Sequence, residues 1–276
     1  MPANDAQLHS PSYRLAVEDT DFLLRDEMRP ARFMLEFAKT ELALRDWGVR
    51  STVVVFGSAR IPAPEDVPAL LAAAPPERRA QAEALARLAP WYDKAREFAR
   101  MVSLRGGALA AEGKLRDNVI ATGGGPGIMG AANRGAADVG APSIGFNISL
   151  PREQGPNPWS TPALTFRFHY FALRKMHLAM RANALAVFPG GFGTFDEMFE
   201  ILTLLQTRKA PPVGVVLFGA EYWRKVINFD AIAEAGLIDA ADLGLFSIVE
   251  EPEEAWEWLI SHGLKAHTPP GEAREA

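Results

Sequence analysis

Three carboxylates stand close together in the stretch "VFPGGFGTFDEMFE", residues 187–200: Asp196, Glu197 and Glu200. Glu197 and Glu200 are three apart, so on a helix they are surface neighbours. Ahead of them Pro189 stops a strand, and Gly190, Gly191 and Gly193 turn the chain almost without side chains before Thr194 offers a hydroxyl. Such a turn lets main-chain N–H groups approach an anion at the positive end of a helix dipole. A phosphate seated there would present its sugar to the carboxylates. A carboxylate beside a bound sugar phosphate can stabilise positive charge that develops there or activate a water. A plainer reading of Glu197 stands beside this one: Thr194-x-x-Glu197 has capping-box spacing and would satisfy backbone donors without any chemistry.

The cations come from "FALRKMHLAMRAN", residues 171–183. Arg174, His177 and Arg181 share one helical face, and Leu173, Met176 and Met180 form an apolar stripe that reads as core. A guanidinium suits either a phosphate or a carboxylate, so Arg174 is expected to reach the ligand or to orient Glu197. A surface or intersubunit salt bridge is the alternative. His177 reads as structural rather than as an acid. Lys175 raises a pyridoxal-phosphate reading, for which no acid partner of the pyridine nitrogen can be assigned. A second glycine turn, "ATGGGPGIMG" at 121–130, contains G-x-G-x-x-G at Gly125, Gly127 and Gly130. The dinucleotide fingerprint also needs an acid about 20 residues on. The chain has Asn147 there, and no Gly-Lys-Ser/Thr follows either turn, so both NAD and triphosphate hydrolysis are disfavoured. Close packing of helix on strand is the plainer alternative for these glycines.

The elements that must position these groups alternate. Residues 31–47 carry Phe33, Phe37 and Leu44 at helical spacing, with Met34 and Leu35 beside them, and stop at Gly48. Thr52–Phe56 is a run apolar on both faces, a buried parallel strand ending in Gly57-Ser58. Residues 61–90, with six prolines, read as an inserted arm with one or two short helices. A helix near 91–105 follows, then strands near 118–122, 143–148, 164–168 and 184–188, with helices near 127–138, 170–182 and 194–208 between them. "PVGVVLF" and "LFSIVEE" add two strands, and 252–262 a last amphipathic helix. This rhythm predicts an α/β fold: a doubly wound, mostly parallel sheet with helices on both faces and an N-terminal helical extension. Ligands bind beyond the carboxyl ends of such strands. Gly57-Ser58, Gly123–Gly127, Asn147 and Gly190–Thr194 should therefore line one edge. The expected organisation is an extension over 1–48, one nucleotide-binding domain over 49–264, and a mobile tail over 265–276.

Composition narrows the classes. The 276 residues are 48% hydrophobic and 23% charged, with net charge −5 and no cysteine. A nucleic-acid grip needs concentrated basic surface and is not expected. Thiolate nucleophiles and Cys-ligated zinc are excluded, and the five histidines show no metal spacing. No run approaches the roughly 20 apolar residues of a membrane span, and the acidic start lacks a secretory pattern, so a cytoplasmic protein is expected.

"GGGPGIMGAANRGA", "LRKMHLAM" and "PGGFGTFDE" together resemble the LOG (Lonely Guy) family, formerly labelled lysine decarboxylase-like, whose signatures are GGGxxGLMG, Arg-Lys-x-x-Met and PGGxGTxxE. The likeness covers about residues 50–220 in order and spacing. It implies a Rossmann-like subunit, a homo-oligomer from dimer to hexamer, and hydrolysis of AMP or cytokinin riboside 5′-monophosphates to free base and ribose 5-phosphate, without metal or organic cofactor. The family's catalytic arginine and glutamate fall on Arg174 and Glu197. Its phosphate loop falls on Gly190, Gly191, Gly193 and Thr194. Gly124 and Gly125 are expected on the ribose or water side, with Gly57, Ser58, Asn147 and Lys175 as further contacts and Glu200 on a ribose hydroxyl. The chain departs from short members in its N-terminal helix, the 61–90 arm, the C-terminal extension, Ile128 for Leu, and "FGSAR" for a Cys-Gly-Ser turn. A non-catalytic nucleotide or molybdenum-cofactor carrier of the same fold is the alternative.

Overall fold

The computed structural model describes residues 3–109, 115–149 and 155–265. Seven strands form one sheet: β1 (Thr52–Phe56), β2 (Val119–Thr122), β3 (Ser143–Ile148), β4 (Thr165–Phe168), β5 (Ala182–Val187), β6 (Gly214–Phe218) and β7 (Phe246–Val249). Their order is β4-β3-β2-β1-β5-β6-β7 and every pairing is parallel. All residues of β1 and β6 are buried, as their unbroken apolar runs require when helices cover both faces. The chain builds outward from β1 to β4, then crosses back to place β5 on the other side of β1. That reversal is a topological switch point, and it leaves a crevice beyond the carboxyl ends of β1 and β5.

The main helices are α1 (Arg29–Asp46), α2 (Val67–Ala73), α3 (Arg79–Leu88), α4 (Pro90–Arg105), α5 (Ile128–Ala137), α6 (Phe171–Met180), α7 (Phe192–Gln206), α8 (Ala220–Val226), α9 (Phe229–Glu234) and α10 (Pro252–Ser261). Strand β3 shows how they divide. Its Ser143 meets Asn133 of α5, whereas Phe146 stacks toward His177 of α6, and side chains an odd number apart face opposite ways. Helix α4 packs on both α5 and α10, and α1 packs on α6. Among the described residues no helix is long and apolar enough to cross a membrane.

Two segments lie outside the strand–helix rhythm. The arm after β1 holds α2 and α3, close to the one or two short helices expected. Residues before α1 make short turns that are mostly exposed, and Arg32 docks them by donating to the carbonyls of Leu23 (2.7 Å) and Arg25 (2.6 Å). In α1, Leu44 is fully buried and Phe37 packs on the core, while Met34 and Leu35 face outward. The expected tail lies, beyond Lys265, outside the described residues.

Met176 and Met180 are not core. They are 45% and 52% exposed, because α6 turns Leu173, His177 and Leu178 inward instead. The inward partner of Leu173 is thus the residue four positions on, His177, which lies against Phe37, Phe146 and Phe168. Burial lowers its pKa, in keeping with a structural role.

Candidate functional site

A cavity of about 640 Å³ opens beyond the carboxyl ends of β1 and β5. Gly57 and Ser58 line it from β1, and Pro189 to Glu197 from β5 and the first turns of α7. Arg174 enters from α6, and Leu88 adds a wall from the arm. The sequence-predicted Gly57, Ser58, Arg174, Gly190, Gly191, Gly193, Thr194 and Glu197 therefore meet around one space.

Helix α7 starts at Phe192, with Gly191 as its N-cap and no capping side chain. The Gly191 carbonyl accepts from Thr194 N–H (2.9 Å) and Phe195 N–H (3.0 Å), which fixes the start two residues ahead of Thr194. The Thr194/Glu197 capping box is therefore absent: Thr194 is already the third helical residue and its hydroxyl is past the position that caps. The N–H groups of Phe192 and Gly193 belong to the first turn and have no intrahelical acceptor. Gly190 cannot be replaced without movement, because a Cβ there would lie 2.1 Å from Thr194 Oγ1.

Glu197 is 6% exposed, and among the described residues its carboxyl has no hydrogen-bond or ion-pair partner. Burial pushes it up to about 7, against the pull of Arg174 and then Lys175. Arg174 donates from Nε to the Phe146 carbonyl at 2.7 Å, which aims the guanidinium from the end of β3. Burial draws its pKa down while the charges of Glu197 and Asp196 hold it up. A carboxyl titrating near neutrality beside a fixed cation is suited to stabilising or exchanging a proton with a reacting group.

Five expected contacts lie elsewhere. Gly124, Gly125 and Asn147 do not line the cavity. The guanidinium of Arg174 and the thioether of Met129 stand between it and this turn, 2.3 and 2.8 Å from where a Cβ on Gly123 would be. Asn147 donates to the Gly124 carbonyl at 3.1 Å, and Asn157 N–H donates to the same oxygen at 2.9 Å. Of the G-x-G-x-x-G glycines, Gly127 serves packing: it has φ +66°, and a Cβ there would be 2.4 Å from the Ser58 carbonyl oxygen. Lys175 and Glu200 are also turned aside. Lys175 Nζ pairs with Asp196 at 2.8 Å and Glu200 at 2.9 Å, tying α6 to α7. A lysine so engaged and outside the cavity does not fit a pyridoxal-phosphate attachment.

Among the lining residues that the sequence reading missed, two bear polar groups of consequence. Arg60, two residues past Ser58, is exposed and its guanidinium has no partner among the described residues; the strand-end rule that found Ser58 extends to it. Tyr222 follows β6 and donates its hydroxyl to the Gly190 carbonyl. Nothing in the sequence marks it, since its approach depends on β6 lying beside β5.

A family model described as "Possible lysine decarboxylase" matches residues 129–259. Among curated proteins, the chain is 29% identical over 140 residues to the rice (Oryza sativa subsp. japonica) "Probable cytokinin riboside 5'-monophosphate phosphoribohydrolase LOG4", covering 50% of this chain and 60% of that one. The chain spans about half to three-fifths of the length of the curated relatives it matches. Of solved structures, the X-ray structure of TM1055 aligns with TM-score 0.48 and 19% identity over 76% of this chain and 99% of that one. The molybdenum cofactor binding protein of the phototrophic bacterium Rippkaea orientalis aligns with TM-score 0.42 and 17% identity, over 77% and 95%.

Proposed function

We propose, on the premise that the chain carries a LOG-family domain over residues 129–259, that it hydrolyses the N-glycosidic bond of purine nucleoside 5′-monophosphates. AMP and N6-prenylated AMP are the substrates, water is consumed, and free base and ribose 5-phosphate are released. The observation that carries this reading is Glu197, buried and unpaired beside Arg174 in a cavity that also holds the glycine turn.

The phosphate rests on the first turn of α7, where free N–H groups and the helix dipole favour an anion. Arg60 is the uncommitted cation at the same cavity. The C1′–N bond then lies toward Glu197, whose carboxylate stabilises the positive charge at C1′ or takes a proton from the attacking water. Arg174 offsets the charge of that carboxylate through space, without a hydrogen bond to it. The base leaves with the bonding electron pair and a proton, and the water oxygen becomes the anomeric hydroxyl. A carrier of the same fold would have no use for a buried carboxylate here. Homo-oligomerisation is part of the proposal, supported by exposed Met176, Met180, Phe192 and Phe199 on α6 and α7.

Incubation with AMP and with prenylated AMP should release base and ribose 5-phosphate in equal amounts, read by chromatography. Intact nucleotide across a panel of purine and pyrimidine monophosphates would overturn the proposal.

A further inference from the structure

The turn that begins α7 is not held by its own residues alone. Tyr222 is the third residue of α8, the helix that follows β6, the strand next to β5, and its side chain both lines the cavity and reaches the Gly190 carbonyl. Its ring packs edge-on to Trp223 with centroids 5.1 Å apart, and Trp223 is fully buried with its Nε1 donating to the Phe218 carbonyl at 2.9 Å. The phenol is thus mounted on a rigid support. Burial raises its pKa, so the hydroxyl remains a donor.

A peptide carries its negative end on the carbonyl oxygen and its positive end on the next N–H. A turn built almost wholly of glycine can rotate those peptides, and a rotated one presents oxygen where an anion needs nitrogen. Gly190 has no side chain to resist this. We propose that Tyr222 is a positioning residue for the substrate phosphate: by holding the Gly190 carbonyl, it keeps that oxygen engaged and the turn polarised for an anion. This rests on the reading of the cavity given above and extends it to a residue outside the glycine motif.

The test is Tyr222→Phe, which keeps the ring and its contact with Trp223 and removes only the donor. KM for AMP should rise about fivefold, the factor equivalent to one ordinary hydrogen bond, with kcat changed less than about twofold. Calorimetric titration with ribose 5-phosphate should show a matching loss of affinity, while the melting curve reports whether the fold is intact. A loss of kcat with unchanged KM, or wild-type ribose 5-phosphate affinity in the variant, overturns the inference alone. Absence of ribose 5-phosphate binding to the unmodified protein overturns the phosphate site itself, and the role of Tyr222 with it.

Discussion

Glu197 is kept where water scarcely reaches, and the physical cost of that placement is measurable. Its folded-state pKa of about 7 lies above the ordinary 4.5, so the protonated form contributes its full stability below about pH 4.5 and that contribution is lost as pH rises through 7. At about 1.36 kcal/mol per pKa unit, ionisation above pH 7 costs the fold about 3 kcal/mol. Glu197→Gln should therefore abolish turnover and yet be more stable than the parent by about 3 kcal/mol near pH 8, a difference that shrinks toward zero near pH 4.5. Urea titrations at the two pH values check it. With the carboxylate as working form, AMP cleavage by the parent should rise as pH passes through about 7; a flat profile would sink the assignment. At this scale the sequence spoke unevenly. Spacing put Glu197 and Glu200 on neighbouring positions of α7, but only the docking of Lys175 decides that one faces the cavity and the other a salt bridge. The apparent capping box misled because a cap depends on where the helix begins, and Gly191 begins it early.

Strands and helices were more legible than their faces. β1 and β6 were readable from their continuous apolar runs, and α6 from its period. Which side of α6 is inward was not, because Leu173 is compatible with a stripe through Met176 or one through His177, and the choice belongs to α1. That helix does more than cover the sheet. Glu36 accepts from the backbone N–H of His169 (3.0 Å) and Tyr170 (3.0 Å), just before α6, which has no capping side chain of its own. Arg32 donates to the Tyr170 hydroxyl at 3.1 Å. The entry to the helix that carries Arg174 is thereby held from a distant part of the chain. Glu36→Ala should lower stability by about 1–2 kcal/mol, as loss of hydrogen bonds to a charged group does, and Glu36→Gln, which retains an acceptor, should recover part of it. Equal melting temperatures for parent and Glu36→Ala would show the contact to be idle.

For the molecule as a whole, strand order was the missing knowledge. Alternation predicted a doubly wound sheet, but only the order β4-β3-β2-β1-β5-β6-β7 places Gly57-Ser58 beside Gly190–Thr194 and sets Gly123–Gly127 behind Arg174. The same order brings Tyr222 to a turn 32 residues earlier in the chain. The exposed methionines of α6 belong to this scale too. In the proposed oligomer they are buried, so the double variant Met176→Asp/Met180→Asp should run as a monomer in light scattering while the parent does not. A monomeric parent would dispose of the idea. Leu88 has a different consequence. One wall is lent by Leu88 of the proline-rich segment after β1, whereas Arg174 and Glu197 enter from α6 and α7. Under the proposed function, the wall that meets the guest and the groups that react with it come from separate segments, so a change at Leu88 would reshape the one without touching Arg174 or Glu197.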